Sequence, residues 1–156
     1  MIILGSYRVP VQYRGAATIA SLLEHIRNGE DPPDFIDHRL SDKSFPQEGE
    51  ALEEIGIDIV SMGRVIGRDE DMPRLFAEAG YQPTNPAELL SFRAAYPQAQ
   101  RWGCCITGLA QVWEDHRGYR FVPCLNAGAG HGIRLRMIDA GWGDFWHFAV
   151  KKAENA

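Results

Sequence analysis

A chain of 156 residues with 45% hydrophobic and 24% charged residues has the composition of an ordinary globular protein and the length of one domain. No apolar run approaches the roughly 18 residues that a membrane-spanning helix needs, and the first residues lack the basic region and cleavage pattern of a signal peptide. Three cysteines, an odd number, favour reduced thiols in the cytoplasm. We therefore expect one cytoplasmic domain over residues 1–156, without membrane association.

The formal net charge of −5 is unevenly distributed. Between Glu24 and Glu88 there are sixteen acidic and six basic residues, a balance of −10, whereas residues 1–23 carry +2 and residues 89–156 carry +3. Such an acidic stretch repels nucleic acid and can attract a basic partner. The simpler interpretation is a solvated surface. No basic patch interleaved with aromatic residues supports nucleic-acid binding.

The N-terminal part is predicted to contain two strands and one helix. Residues 1–4 and 7–13 have the composition of strands. Apolar residues recur every three or four positions over residues 17–27, which is the pattern of an amphipathic helix. Thr18 is expected to cap this helix and Gly29 to end it.

The middle of the chain is predicted to be mainly helical. Residues 35–50 have no clear period and are expected to form a long irregular connection. A short helix is expected over 50–55, a strand over 57–66 and a helix over 69–79. An Asn-Pro pair, typical of a helix start, opens a further helix over residues 85–96.

The last part of the chain, residues 102–150, holds all four tryptophans and all three cysteines. Three stretches in it, 119–125, 132–139 and 145–150, are apolar-rich and separated by glycine-containing connectors. Consecutive strands with short turns form an antiparallel meander. The third stretch is apolar on both faces, so we expect it to be a central strand.

Alternation in the second of these stretches assigns its two faces. Successive side chains on a strand point to opposite faces of the sheet. We therefore expect Ile133, Leu135 and Met137 to be buried together, with Arg134 and Arg136 on the other face.

Residues 102–115 have two interpretations. Apolar residues recur there at helical spacing. However, Gly103 and Gly108 each weaken a helix by about 1 kcal/mol relative to alanine, and residues 112–119 match a strand that enters a hairpin. The strand interpretation is favoured, while the helix stays open as an alternative.

These elements together predict an α+β fold. We expect a mostly antiparallel sheet of four to six strands that ends in a C-terminal meander. Three to four helices are expected to pack on one face of this sheet.

One candidate chemistry is nucleophilic catalysis by a cysteine. If residues 102–115 were a helix, Cys104 or Cys105 would lie at its N-terminus, which lowers a thiol pKa. A later histidine could take the proton, and a carboxylate could orient that histidine. The histidines are His131 and His147, and the carboxylates are Asp139 and Asp144. A cysteine followed by a histidine-bearing sheet resembles the order in papain-like hydrolases. Alternatively, Cys105 and Cys124 are buried small hydrophobes.

A metal site is a weaker interpretation. Cys124, His131 and His147 could converge on one ion, but the chain lacks a paired Cys-x-x-Cys or His-Glu-x-x-His spacing. We therefore predict no metal and no cofactor.

A second candidate chemistry is ligand binding by the aromatic residues of the last part. Trp142 lies between two glycines in a predicted turn, where an exposed tryptophan would meet a ligand or partner. Trp146 follows on the next strand. Arg120, Arg134 and Arg136 can share one sheet face and form a cationic patch suited to a carboxylate or phosphate.

Three hypotheses for function follow. The first is a non-enzymatic accessory protein that binds a small molecule or protein through its aromatic C-terminal sheet. The second is a Cys-His hydrolase or acyltransferase. The third is an inhibitor or immunity-type protein that presents the acidic segment 30–71 to a basic partner.

Overall fold

A computed structural model gives the arrangement of most of the chain. The described residues are 1–10, 18–47, 54–101, 105–126 and 131–153, and of residues 100 and 101 only the backbone is described. Within these ranges no helix combines the length and the apolar character that crossing a membrane requires.

The described residues form nine strands and three α-helices. The strands are β1 (Ile2–Pro10), β2 (Phe35–Ile36), β3 (Glu54–Ser61), β4 (Tyr81–Pro83), β5 (Cys105–Thr107), β6 (Trp113–Glu114), β7 (Arg120–Asn126), β8 (Gly132–Met137) and β9 (Trp146–Lys152). The helices are α1 (Ile19–Arg27), α2 (Met72–Glu78) and α3 (Pro86–Ala95), and Pro97–Arg101 and Ile138–Ala140 form 3-10 turns.

Side-chain caps fix the starts of the three helices, because the first backbone N–H groups of a helix have no partner within it. The Thr18 hydroxyl accepts a hydrogen bond from the backbone N–H of Ser21 at 3.1 Å, which confirms the predicted start of α1. The Asp71 carboxylate caps α2 in the same way. Asn85 and Glu88 form a reciprocal capping box at the start of α3.

The regions around β3 and β5 differ from some of the expectations. Glu54 and Ile55 belong to strand β3, so the helix predicted over 50–55 is wrong for these two residues, and 50–53 lie outside the described residues. The favoured strand interpretation of residues 102–115 is confirmed by β5 and β6, although 102–104 also lie outside the described part.

All nine strands belong to one mixed sheet, in the order β1-β3-β9-β5-β7-β8-β2, with β4 paired to β9 and β6 paired to β7. The pairings β2–β8 and β5–β9 are parallel, and the other pairings among the described strands are antiparallel. The α+β class is thus confirmed. The sheet has more strands than the four to six expected, because several short strands carried no periodic signal.

The predicted C-terminal meander is wrong in its third strand. Strands β7 and β8 form the expected hairpin, but β9 does not pair with β8. It lies instead between β3 and β5 in the middle of the sheet. The physical reason is its composition: a strand that is apolar on both faces is stabilised most where both faces are covered.

Hydrophobic layers cover both faces of the sheet. We call the face that carries Ile57 and Leu125 the first face, and the face that carries Val60 and Phe148 the second face. Helices α1 and α3 pack on the first face. Helix α2 packs on the second face through Met72 and Phe76, so the expectation of helices on one face only is wrong.

Burial along β8 is also less regular than predicted. Ile133 is fully buried, Leu135 is partly exposed and Met137 is 38% exposed. Arg134 is exposed, as expected, but Arg136 is partly buried. Among the described strands, only the two-residue strand β2 lies beyond β8 in the sheet order, so the covering layer formed by these residues ends along β8.

Candidate functional site

Trp142 is buried rather than partly exposed as predicted, with only 4% of its surface accessible. Its backbone forms an antiparallel bridge with Ile66, in which each residue donates to the other at 2.8 Å. Gly141 makes this approach possible. It has φ of 71°, and a Cβ there would lie 2.7 Å from the Ile66 carbonyl oxygen. The bridge therefore holds the turn against the second face of the sheet.

The Trp142 ring belongs to an aromatic cluster on that face. It meets Trp146 edge-to-face at 4.9 Å between centroids and Phe148 at 5.4 Å. The Arg136 guanidinium stacks on both indoles, 4.8 Å from the Trp142 ring and 4.7 Å from the Trp146 ring. Burial lowers the pKa of Arg136, and Arg136 also donates a hydrogen bond to the Gly141 carbonyl. This arrangement positions Trp142.

A cavity of about 320 Å³ lies beside Trp142, between α2, the segment after β5 and the β7–β8 hairpin. Its volume is in the range of small-molecule sites. Apolar side chains make up most of the wall: Met72, Pro73, Leu109, Val112, Val122, Ile138 and Trp142. Charged residues form the rest: Arg68, Glu70, Asp71, Arg120 and Asp139. An apolar wall with a few charged groups can hold a small amphipathic molecule.

A wider groove of about 640 Å³ lies on β1, β3 and the end of β9. Several of its charged side chains already form ion pairs. Arg8 Nε lies 2.7 Å from Glu54 Oε1, and Lys151 Nζ lies 2.7 Å from Glu88 Oε2. The smaller cavity is the better candidate, because most of its lining residues are apolar and one of them is a tryptophan.

Cys105 and His147, two residues of the catalytic hypothesis, do not lie together in the structure. Cys105 pairs with Trp146, and the adjacent His147 pairs with Ile106. Cys105 therefore packs with the second face, while His147 points to the first. The Cys105 thiol lies 3.0 Å from the Asn126 side-chain oxygen. Cys104 lies outside the described residues.

Three other groups of that hypothesis are described by their own contacts and exposure. The backbone N–H of His131 donates to the Asp34 carboxylate at 3.1 Å, and its Nδ1 is buried. Asp144 is exposed in the turn before β9. Asp139 instead forms an ion pair with Arg120.

Cys124 is a buried small hydrophobe, as the alternative interpretation proposed. It is 4% exposed, and burial raises the pKa of its thiol to about 12. It packs on the second face, opposite to His147. Among the residues that the structure describes, no group of three or more His, Cys, Asp or Glu side chains is placed to hold a metal ion.

The three predicted arginines do not form one cationic patch. The Arg134 guanidinium stacks on Phe35 at 4.6 Å, whereas Arg136 is held between the two indoles. Of these three arginines, Arg120 alone lines the cavity beside Trp142.

Many acidic side chains of segment 30–71 hold the fold together. The Asp42 carboxylate accepts hydrogen bonds from the backbone N–H groups of Ile19 and Ala20 at the start of α1. Burial alone would raise the pKa of Asp37, but the Arg39 side chain and backbone N–H lower it. These contacts favour a structural role for this acidic segment over a docking surface.

His147 gives a testable pH dependence of stability. Burial lowers its pKa from the ordinary value of 6.5. The unfolded chain therefore binds this proton more readily, so the free energy of unfolding is fully retained above about pH 6.5 and decreases as the pH falls below it. Replacing His147 by glutamine is expected to reduce this dependence, measured by urea unfolding at pH 7.5 and 5.5. The exposed His116→Gln is the control, and equal slopes in the two variants would contradict the assignment.

Comparison with protein-family models, with curated proteins and with solved structures gives no match.

Sequence reasoning named Trp142 and Arg120 as binding residues, and both line the cavity. It missed Arg68, Met72 and Val122, which also line it. These residues come from segments far apart in the chain. No local pattern connects them, because the bridge between Ile66 and Trp142 is a tertiary contact.

Proposed function

We propose that this protein is a non-enzymatic cytoplasmic accessory protein that binds a small organic molecule in the cavity beside Trp142. The observation that carries the proposal is the cavity itself, a space of about 320 Å³ with an apolar wall and a tryptophan. Binding sites for small molecules have this composition. The hydrolase hypothesis lacks comparable support, since Cys105 and His147 lie on opposite faces of the sheet.

The wall of the cavity favours a ligand with a flat or compact apolar body. Val122 is fully buried and Met72 nearly so, and both belong to the packed hydrophobic layer of the second face. Arg136 and Trp146 both contact the Trp142 ring and hold it in place. Such preorganisation lowers the entropic cost of binding, because few side chains have to be ordered.

A variant that fills the cavity tests the proposal. Val112 lines the cavity and is 42% exposed, so Val112→Trp is expected to occupy the space without disturbing the core. Val65 is 63% exposed and is not part of the lining, so Val65→Trp is the matched control. Binding of 1-naphthoate, a planar probe, is measured by isothermal titration calorimetry.

We expect the native chain to bind the probe with a dissociation constant of about 1 mM or tighter, from the free energy that a small ligand gains per atom. Val112→Trp is expected to weaken binding at least about tenfold, while Val65→Trp leaves it unchanged. Absence of binding to the native chain, or equal binding to all three proteins, would contradict the proposal.

A further inference from the structure

Three of the five charged side chains around the cavity form ion pairs within the protein. Arg120 forms an ion pair with Asp139 across the β7–β8 hairpin. Glu70 accepts two hydrogen bonds from the Arg64 guanidinium, at 2.8 and 3.0 Å, and one from the backbone N–H of Gly67 at 2.8 Å. These pairs leave little charge for a ligand to meet.

Asp71 is also engaged. Its carboxylate accepts a hydrogen bond from the backbone N–H of Arg74 at 3.2 Å and caps α2. A carboxylate at a helix N-terminus is stabilised by the unsatisfied N–H groups and the helix dipole.

Arg68 is different from the other charged residues of the lining. It is exposed, and it makes no ion pair or side-chain hydrogen bond with any residue in the described part of the chain. The backbone around it is fixed, because its neighbour Gly67 donates to Glu70 and lies beside the bridge between Ile66 and Trp142. The cavity therefore combines an apolar wall with an exposed guanidinium that pairs with no carboxylate of the described residues.

From this unpaired guanidinium, and resting on the proposed function above, we infer that the ligand is a small organic anion, with a carboxylate that pairs with Arg68 and an apolar body against the accessible side chains of Leu109 and Val112 beside Trp142. A guanidinium matches the two oxygens of a carboxylate in a planar, bidentate geometry. The net charge of −5 does not prevent this, because exposed charges are screened beyond about 8 Å at physiological salt.

Three probes with one apolar body and different charges test the inference: 1-naphthoate, 1-naphthylmethanol and 1-naphthylmethylamine. We expect the carboxylate to bind about fivefold tighter than the alcohol, and the amine to bind most weakly. This ratio corresponds to the upper range for an exposed ion pair. Arg68→Gln is expected to remove the preference for the carboxylate, and Arg74→Gln, on the exposed surface of α2, is the control.

The outcomes separate the two proposals. If no probe binds, or if Val112→Trp leaves the binding of every probe unchanged, the proposed function fails. If the probes bind in the cavity but the alcohol or amine binds as tightly as the carboxylate, or Arg68→Gln leaves the preference intact, only the anion inference fails. A preference that disappears in Arg68→Gln, persists in Arg74→Gln and weakens with added salt supports the inference.

Discussion

Replacing Trp142 by alanine is expected to lower the free energy of unfolding by about 3–5 kcal/mol, the range for large aromatic residues in a core. The ring is 4% exposed and contacts Trp146 and Phe148 edge-to-face. Its loss also removes one of the two rings on which Arg136 stacks. Chemical unfolding followed by circular dichroism measures the effect.

Two further variants calibrate this result. Phe145→Ala in the same turn is expected to cost less than about 1 kcal/mol, since that side chain is 59% exposed. Leu135→Ala is expected to cost about 1–2 kcal/mol, because Leu135 is partly exposed. A Trp142→Ala effect as small as that of Phe145→Ala would show that Trp142 is not part of the core.

Replacing Glu88 by alanine is expected to cost about 2 kcal/mol, with about 1 kcal/mol from the lost capping hydrogen bond and up to about 1 kcal/mol from an ion pair whose Lys151 side chain is 27% exposed. Glu88 is 5% exposed, closes the capping box of α3 and accepts a hydrogen bond from the Lys151 ammonium at 2.7 Å. The change therefore joins two losses, one at the start of α3 and one between α3 and β9.

Glu88→Gln separates these two contributions. Glutamine can still accept the hydrogen bond from the Asn85 backbone, so the capping box is retained while the charge opposite Lys151 is lost. We expect Glu88→Gln to lie between the native chain and Glu88→Ala in thermal and urea unfolding. Equal stability of all three proteins would contradict the structural role of this pair.

The local parts of the fold could be predicted from the sequence. Helix α1 with its Thr18 cap and the β7–β8 hairpin both depend on short-range patterns, namely helical spacing and alternation. The placement of β9 could not be predicted in the same way. Its partners β3 and β5 are distant in the chain, and composition alone indicates a central position but no neighbours.

The candidate site shows the same division. Glycines on both sides of Trp142 indicated a turn there, but the turn lies at Asp144 and Phe145. Trp142 itself forms a bridge with Ile66, to which no sequence pattern points. The sequence predicts Arg120 on a cationic face shared with Arg134 and Arg136. In the structure it lines the cavity and forms an ion pair with Asp139. Residue types and local geometry could be predicted from the sequence. The tertiary partners that decide burial and charge could not.

The indole N–H signals of Trp142 and Trp113 in a ¹⁵N-correlated NMR spectrum give the most direct test of binding beside Trp142. Trp113 packs on the first face, against Phe121 at 5.7 Å, and serves as an internal control. Conservative Trp→Phe variants assign the two signals. During titration with 1-naphthoate, the Trp142 signal is expected to shift in a saturable manner while the Trp113 signal stays in place. A Trp142 signal that does not move, or that moves no more than that of Trp113, would contradict ligand binding in this cavity.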